Sequence, residues 1–243
     1  MKRLRFLMLL PLVLVAACSQ ENKINDKTLI IGCSPTPHAK ILEASKPIFE
    51  EKGYELDIKV LNDYVTPNTL LNSGDLDANY FQHVPYLEDF NSKNGTDLSW
   101  ITKVHFEPMG IYSSKHVDLT KSNPKIAIPN DTSNGARAKA LLEENGISGT
   151  VIEMEAQAIP SILSDVDYGV VNGNYALSAG ITNKCLANEK SDSETALELA
   201  NVIAVKTSSL NYEWVQVIKE VFTSPKLKEF INTEFGSAVK AVF

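Results

Sequence analysis

LDANYFQHVPYLEDF, residues 76–90, begins as a strand and finishes as a helix. The extended run ends at Phe81. VPYLEDFNSKNG then reads as the following helix, ending at Gly95. Alternation along a strand sends Tyr80 and Phe81 to opposite sides, so the two rings cannot both fill one core face. His83 follows where the strand gives way to the helix. Upstream, TLIIG (28–32) reads as a buried strand and SPTPHAKILEASKPIFEEKG as a turn and amphipathic helix closed by Gly53. YELDIKVLN (54–62) alternates as a strand, and a helix runs through NTLLNSG. Strand, helix, strand in repetition predicts an open parallel sheet with helices on both faces.

Beyond Gly95 the extended stretch WITKVHFEPMGIYS (100–113) contains Pro108 and Gly110, and then the pattern restarts. KIAIPND (125–131), VIEMEA (151–156) and DYGVVN (167–172) read as strands. The helices SNGARAKALLEENG and AIPSILSD lie between them. NVIAVK (201–206) reads as a last strand before two C-terminal helices. Two α/β units joined by extended segments predict two lobes with a cleft between them. The expected bounds are 28–110 with 207–243 returning to the first lobe, and 111–206 for the second. Crossovers are expected near 108–115 and 203–206.

The chain of 243 residues opens with Lys2, Arg3 and Arg5, then FLMLLPLVLVAA, then Cys18. That apolar run falls short of the roughly 20 residues that span a bilayer and reads as a signal peptide, 1–17. VAAC at 15–18 resembles a bacterial lipobox, which makes Cys18 the expected lipidation site and SQENKINDK (19–27) a tether. Acyl chains on one residue hold a protein at a membrane outside the cytoplasm. Losing the three leader cations would take the net charge of −7 to −10. Such acidity argues against a nucleic-acid partner. Cys33 and Cys185 form no CxxC-like pattern; an exported protein permits a disulfide between them, and otherwise both are expected as buried free thiols.

Ligands of open α/β sheets bind at the C-terminal ends of the strands, where Tyr80, Phe81 and His83 lie. Such rings more often pack than bind, and their position at the strand end does not by itself decide between the two. In IPNDTSNGARAKALL (128–142) a strand ends among cap-type side chains, and Arg137 sits in the first turns of the helix. Free N–H groups and a guanidinium suit a carboxylate, though an ordinary capped helix fits too. In VVNGNYALSAG (170–180), Asn172 either caps a helix or offers its amide to an ammonium group. There is no G-x-S-x-G, P-loop, G-x-G-x-x-G or H-E-x-x-H, and the four histidines stand apart from metal spacing. Nothing in the sequence asks for catalysis or a cofactor.

Several long words, among them TPHAKILEASKPIFEEKG, DYVTPNTLLNSGDLDANYFQHVPYLEDFN, KVHFEPMGIYS, IAIPND, VVNGNYALSAG and ANVIAV, resemble the NlpA family of bacterial lipoproteins. They occur in the family's order from about 28 to 206. The resemblance implies a type II periplasmic-binding-protein fold, two α/β lobes closing on L-methionine or a close analogue. It also implies delivery to an ABC permease and its ATPase, without enzymatic activity. It assigns the side-chain pocket to Tyr80, Phe81 and His83, the carboxylate to Arg137, and the backbone ends to Asn172 and Asn201, with Tyr64 and His105 near the cleft. Two departures touch the second lobe: only ISGT precedes the VIEMEA strand, and Glu198-Leu199 stands where relatives often carry Pro-Tyr. The alternatives are the same fold with another amino acid or a small peptide, and a surface lipoprotein with an adhesive or structural role.

Overall fold

The computed structural model describes residues 27–243, so the leader, Cys18 and the tether up to residue 26 lie outside it. The strands follow in the order β1 (Thr28–Cys33), β2 (Glu55–Val60), β3 (Ala78–His83), β4 (Leu98–Phe106), β5 (Gly110–Tyr112), β6 (Lys125–Pro129), β7 (Thr150–Met154), β8 (Tyr168–Val171), β9 (Cys185–Asn188), β10 (Asn201–Lys206) and β11 (Lys240–Ala241). The helices are α1 (Lys40–Glu51), α2 (Thr66–Ser73), α3 (Val84–Asn94), α4 (Thr132–Glu144), α5 (Gly173–Ser178), α6 (Glu194–Glu198), α7 (Glu213–Phe222) and α8 (Pro225–Phe235).

Two sheets result. The first has six strands in the order β11-β4-β10-β3-β1-β2, and the second has five in the order β7-β6-β8-β5-β9. Helices cover both faces of the first sheet. Leu29, Ile31 and Cys33 pack with Ile41 and Phe49 of α1 and with Ile218 and Phe222 of α7. On the opposite face Leu71 of α2 and Leu87 of α3 meet Leu76 and Ala204. Each fully buried Phe or Leu in such layers contributes about 1.5–3 kcal/mol by leaving water. The second sheet packs Ile126 and Ile128 on Ala138, Leu141 and Leu142 of α4. Its other face packs Ala127 and Val171 on Ile159 and on Tyr175 of α5.

β10 departs from expectation. Assigned by sequence to the second lobe, it lies instead inside the first sheet, antiparallel to both β3 and β4. Val202, Ile203, Ala204 and Val205 are buried there, as an inserted central strand requires. The chain therefore crosses between sheets at 107–109 and returns across 189–200. Reversal of β10 also places its first residue, Asn201, level with the last residues of β3 and β4. Asn201 pairs with His83 on one side and His105 on the other.

Smaller differences have local causes. The helix expected at 158–165 is a 3-10 segment, Ala156–Ile162, with Pro160 inside it. β9, α6 and β11 are too short for periodicity to reveal. Cys33 is buried and Cys185 half-buried, and both are free. No described helix is long and apolar enough to cross a membrane.

Candidate functional site

Where the two sheets face each other, residues from both line a cleft with about 340 Å³ of atom-free space, part of it open to solvent. β3 supplies part of its wall through an irregularity. Ile203 of β10 pairs with Tyr80 and the adjacent Val202 with Gln82, so Phe81 is the extra residue of a bulge. Phe81 turns to the cavity and contacts Tyr64 and Tyr86, with ring centroids 5.8 and 5.9 Å away. Tyr80 turns the other way. It is fully buried against Phe222 in the first core, and its hydroxyl bonds to His105 Nδ1. Tyr80 and His105, expected at the ligand, are thus absent from the cavity wall because strand alternation points them behind it.

His83 ends β3 and caps α3, its Nδ1 accepting from the Tyr86 N–H at 3.2 Å. Gly95, at φ +63°, closes the same helix. A ring whose Nδ1 accepts must carry its proton on Nε2, which lies 3.3 Å from Asn134 Oδ1. Burial, reinforced by nearby Arg137, pushes His83 down to about 3, so it stays neutral.

The second lobe answers with amides held in fixed order. Asp131 caps α4 and accepts from the Asn134 side chain at 3.1 Å. An ionised carboxylate only accepts, so Asn134 must aim its NH₂ there and its Oδ1 into the cleft. That oxygen receives the Asn172 Nδ2 at 2.8 Å. Asn172 thereby turns its NH₂ towards Asn134, and its buried Oδ1 has no partner among the described residues. Asn174, two residues on, accepts the Tyr64 hydroxyl at 2.6 Å, which leaves its Nδ2 equally orphaned. Buried polar atoms without partners are uncommon and costly. Both of these residues line the cavity.

Arg137 also lines it, but a carboxylate already holds one edge. Its Nε donates to Glu189 Oε1 at 2.6 Å and its Nη2 to Glu189 Oε2 at 2.5 Å. The second Nη2 proton reaches the Glu107 carbonyl at 3.0 Å. Only the Nη1 end remains without a partner among the described residues. Asn201 joins the wall from β10. Its Oδ1 bonds to His38 Nε2 at 3.0 Å, which leaves its amide nitrogen for the cavity.

Behind this wall His38, His105 and Glu107 bring their ring nitrogens and carboxylate oxygen within 4.8 Å of one another. The donor types could suit a metal, but the hydrogen bonding does not. His38 Nε2 faces Asn201, and binding a cation there would put the ring proton on Nδ1, which is buried without a partner among the described residues. The cluster is a hydrogen-bonded network.

Of the eight positions expected at the ligand, Tyr64, Phe81, His83, Arg137, Asn172 and Asn201 come together around one cavity. Sequence reading missed Gln82, Tyr86, Glu107, Asn134 and Asn174. Tyr86 and Asn134 lie one helical turn from His83 and Asp131, a spacing that could have flagged them. Glu107 gave no signal before the fold brought it to the crossing.

The sequence profile of the NlpA lipoprotein family matches residues 29–150 and 148–243. The chain is 31% identical over 259 residues to the methionine-binding lipoprotein MetQ of Bacillus subtilis (strain 168), covering 94% of this chain and 93% of the other. A solved lipoprotein structure from Ruminococcus gnavus superimposes with a TM-score of 0.86 at 40% identity, over 89% of this chain and 100% of that one. A nutrient-binding protein from Burkholderia cenocepacia, solved bound to methionine, superimposes with a TM-score of 0.82 at 32% identity. It spans 88% of this chain and 100% of that chain.

Proposed function

The chain belongs to the NlpA lipoprotein family, and from that premise we propose that it captures L-methionine or a close analogue outside the cytoplasm and hands it to an ABC permease. The supporting observation is the pair of orphaned atoms, Asn172 Oδ1 and Asn174 Nδ2, set beside a cluster of rings. One accepts and the other donates, as a zwitterion's two ends require. Arg137 Nη1 and the Asn201 amide add donors for the carboxylate. Tyr64, Phe81 and Tyr86 supply the apolar wall, and a thioether gains about 0.3–1.5 kcal/mol against each ring edge. His83, kept neutral, fixes the orientation of Asn134.

The role is binding without chemical turnover. A lipid on Cys18 would hold the domain at the membrane beside the permease and ATPase that receive its ligand. Cross-cleft hydrogen bonds from Tyr64 to Asn174 and from the Tyr175 hydroxyl to the Asn62 carbonyl, at 2.6 and 3.1 Å, join the lobes around the cavity. Closure buries both charged ends of the ligand, so each must find partners or cost several kcal/mol in desolvation. Isothermal titration of the purified chain against the amino acids tests the reading. Heat with L-methionine and none with polar amino acids is expected, and no response to methionine or its analogues would refute it.

A further inference from the structure

Among the described residues, Glu107 is the only acidic side chain on the cavity wall, and it is buried to 5% exposure. It sits in the crossing from β4 to β5, between the lobes. Its two oxygens have different surroundings. Oε1 lies 2.5 Å from His105 Nε2 and 3.4 Å from His38 Nε2. Oε2 lies over Gly173 at the start of α5, 3.2 Å from where a side chain on that glycine would begin. A Cβ there would also come within 2.8 Å of Glu107 Cβ, so the approach needs glycine. Asn172, with its orphaned oxygen, is the neighbouring residue. Glu107 and Asn172 thus each bring an acceptor oxygen to the set of residues that line the cavity.

We propose that Glu107 is the counter-ion for the ligand's ammonium group, and that ligand capture expels the proton this carboxyl shares with His105 and His38. The proposal rests on the amino-acid reading above and adds the group that selects for an amine. Burial pushes Glu107 up to about 7, and it pushes His38 and His105 down to about 4 and 3. Near neutral pH the free site therefore holds its carboxyl partly protonated. The groups facing it are His38 from the turn before α1, His105 and, through it, Tyr80, then Arg137 with its partner Glu189, and Tyr64. Arg137 and His38 draw the carboxyl's affinity for protons down, against the effect of burial. An arriving ammonium acts in the same direction and releases the proton to solvent. Binding should then tighten as pH rises through about 7 and level off above it.

The test is isothermal titration of the detergent-solubilised full chain with L-methionine at pH 6, 7 and 8, in buffers of contrasting ionisation enthalpy. Wild type is expected to release roughly one proton per ligand at pH 6 and close to none at pH 8, with affinity rising about tenfold between them. Glu107→Gln keeps the shape without the charge. It should release no proton, bind at least about tenfold more weakly at pH 8 and lose the pH dependence. Equal affinity and equal proton release in both proteins overturn the proposal and leave the methionine reading standing. Should the variant not fold, the wild-type proton count decides alone, and a count of zero at pH 6 overturns it. A folded wild type that binds no methionine at any pH overturns the amino-acid reading, and this extension with it.

Discussion

The two walls of the cavity are built to different standards of completeness. On the first-lobe side, Tyr64, Phe81 and Tyr86 pack on one another, and the Tyr86 hydroxyl donates to the Tyr64 carbonyl at 2.9 Å. His83 has a partner at each ring nitrogen. On the second-lobe side, Asp131 dictates the orientation of Asn134, Asn134 that of Asn172, and the chain of donors ends in an oxygen with nothing to accept. One wall is finished by folding, and the other is finished by what it binds. Rings need only contact to be satisfied, whereas amides need directed partners, so the unfinished wall carries the recognition.

Arg137→Ala breaks this contrast hardest, because Arg137 serves both fold and ligand. The substitution leaves the Glu189 carboxylate, 17% exposed, without its cation. A loss of about 3 kcal/mol in urea-unfolding stability is expected, along with weaker ligand binding. Removing both partners together, Arg137→Ala with Glu189→Ala, should restore most of that stability but not the binding. Asn172→Ala sharpens the comparison. Its oxygen serves no internal partner, so affinity should fall about tenfold, or about 1.4 kcal/mol, with a smaller change in stability. Titration calorimetry and unfolding on the same preparation would measure both.

The smallest effect concerns pH and the ligand-free chain. His38, His83 and His105 have folded values lowered to about 4, 3 and 3 from 6.5. Their contribution is present above 6.5 and is lost as pH falls towards the folded values. Glu107 is raised from 4.5 to about 7 and works in the opposite sense, contributing below 4.5 and losing that contribution as pH rises through 7. Between pH 7 and 6 the two partly offset, so the unfolding midpoint should fall only slightly on acidification. Glu107→Gln removes the opposing part and should steepen the fall, which unfolding curves at the two pH values would reveal.

Long periodic segments were legible from sequence, and short or displaced ones were not. β1, α1, β2, β3 and α3 announce themselves through alternation, helical spacing and closing glycines. β10 was recognised as a strand, but its membership of the first sheet depends on a return path that no local pattern encodes. Alternation correctly separated Tyr80 from Phe81. It could not say which of them faced the ligand, because the bulge at Phe81 is a property of pairing with β10. Asn172 stands out at a strand end and Arg137 in the first turns of a helix, whereas Asn201 is marked only by the family resemblance. Glu107 lies in an irregular crossing, where neither period nor cap marks it.

The two strand-to-strand crossings have a further consequence. Glu107 occupies the first, and the second ends at Asn201. Any relative rotation of the lobes must pass through the backbone of these same two stretches. Whatever rests against Glu107 and Asn201 is therefore touching the pivot itself, so occupancy and angle are read at one place, with no separate lever to transmit the message.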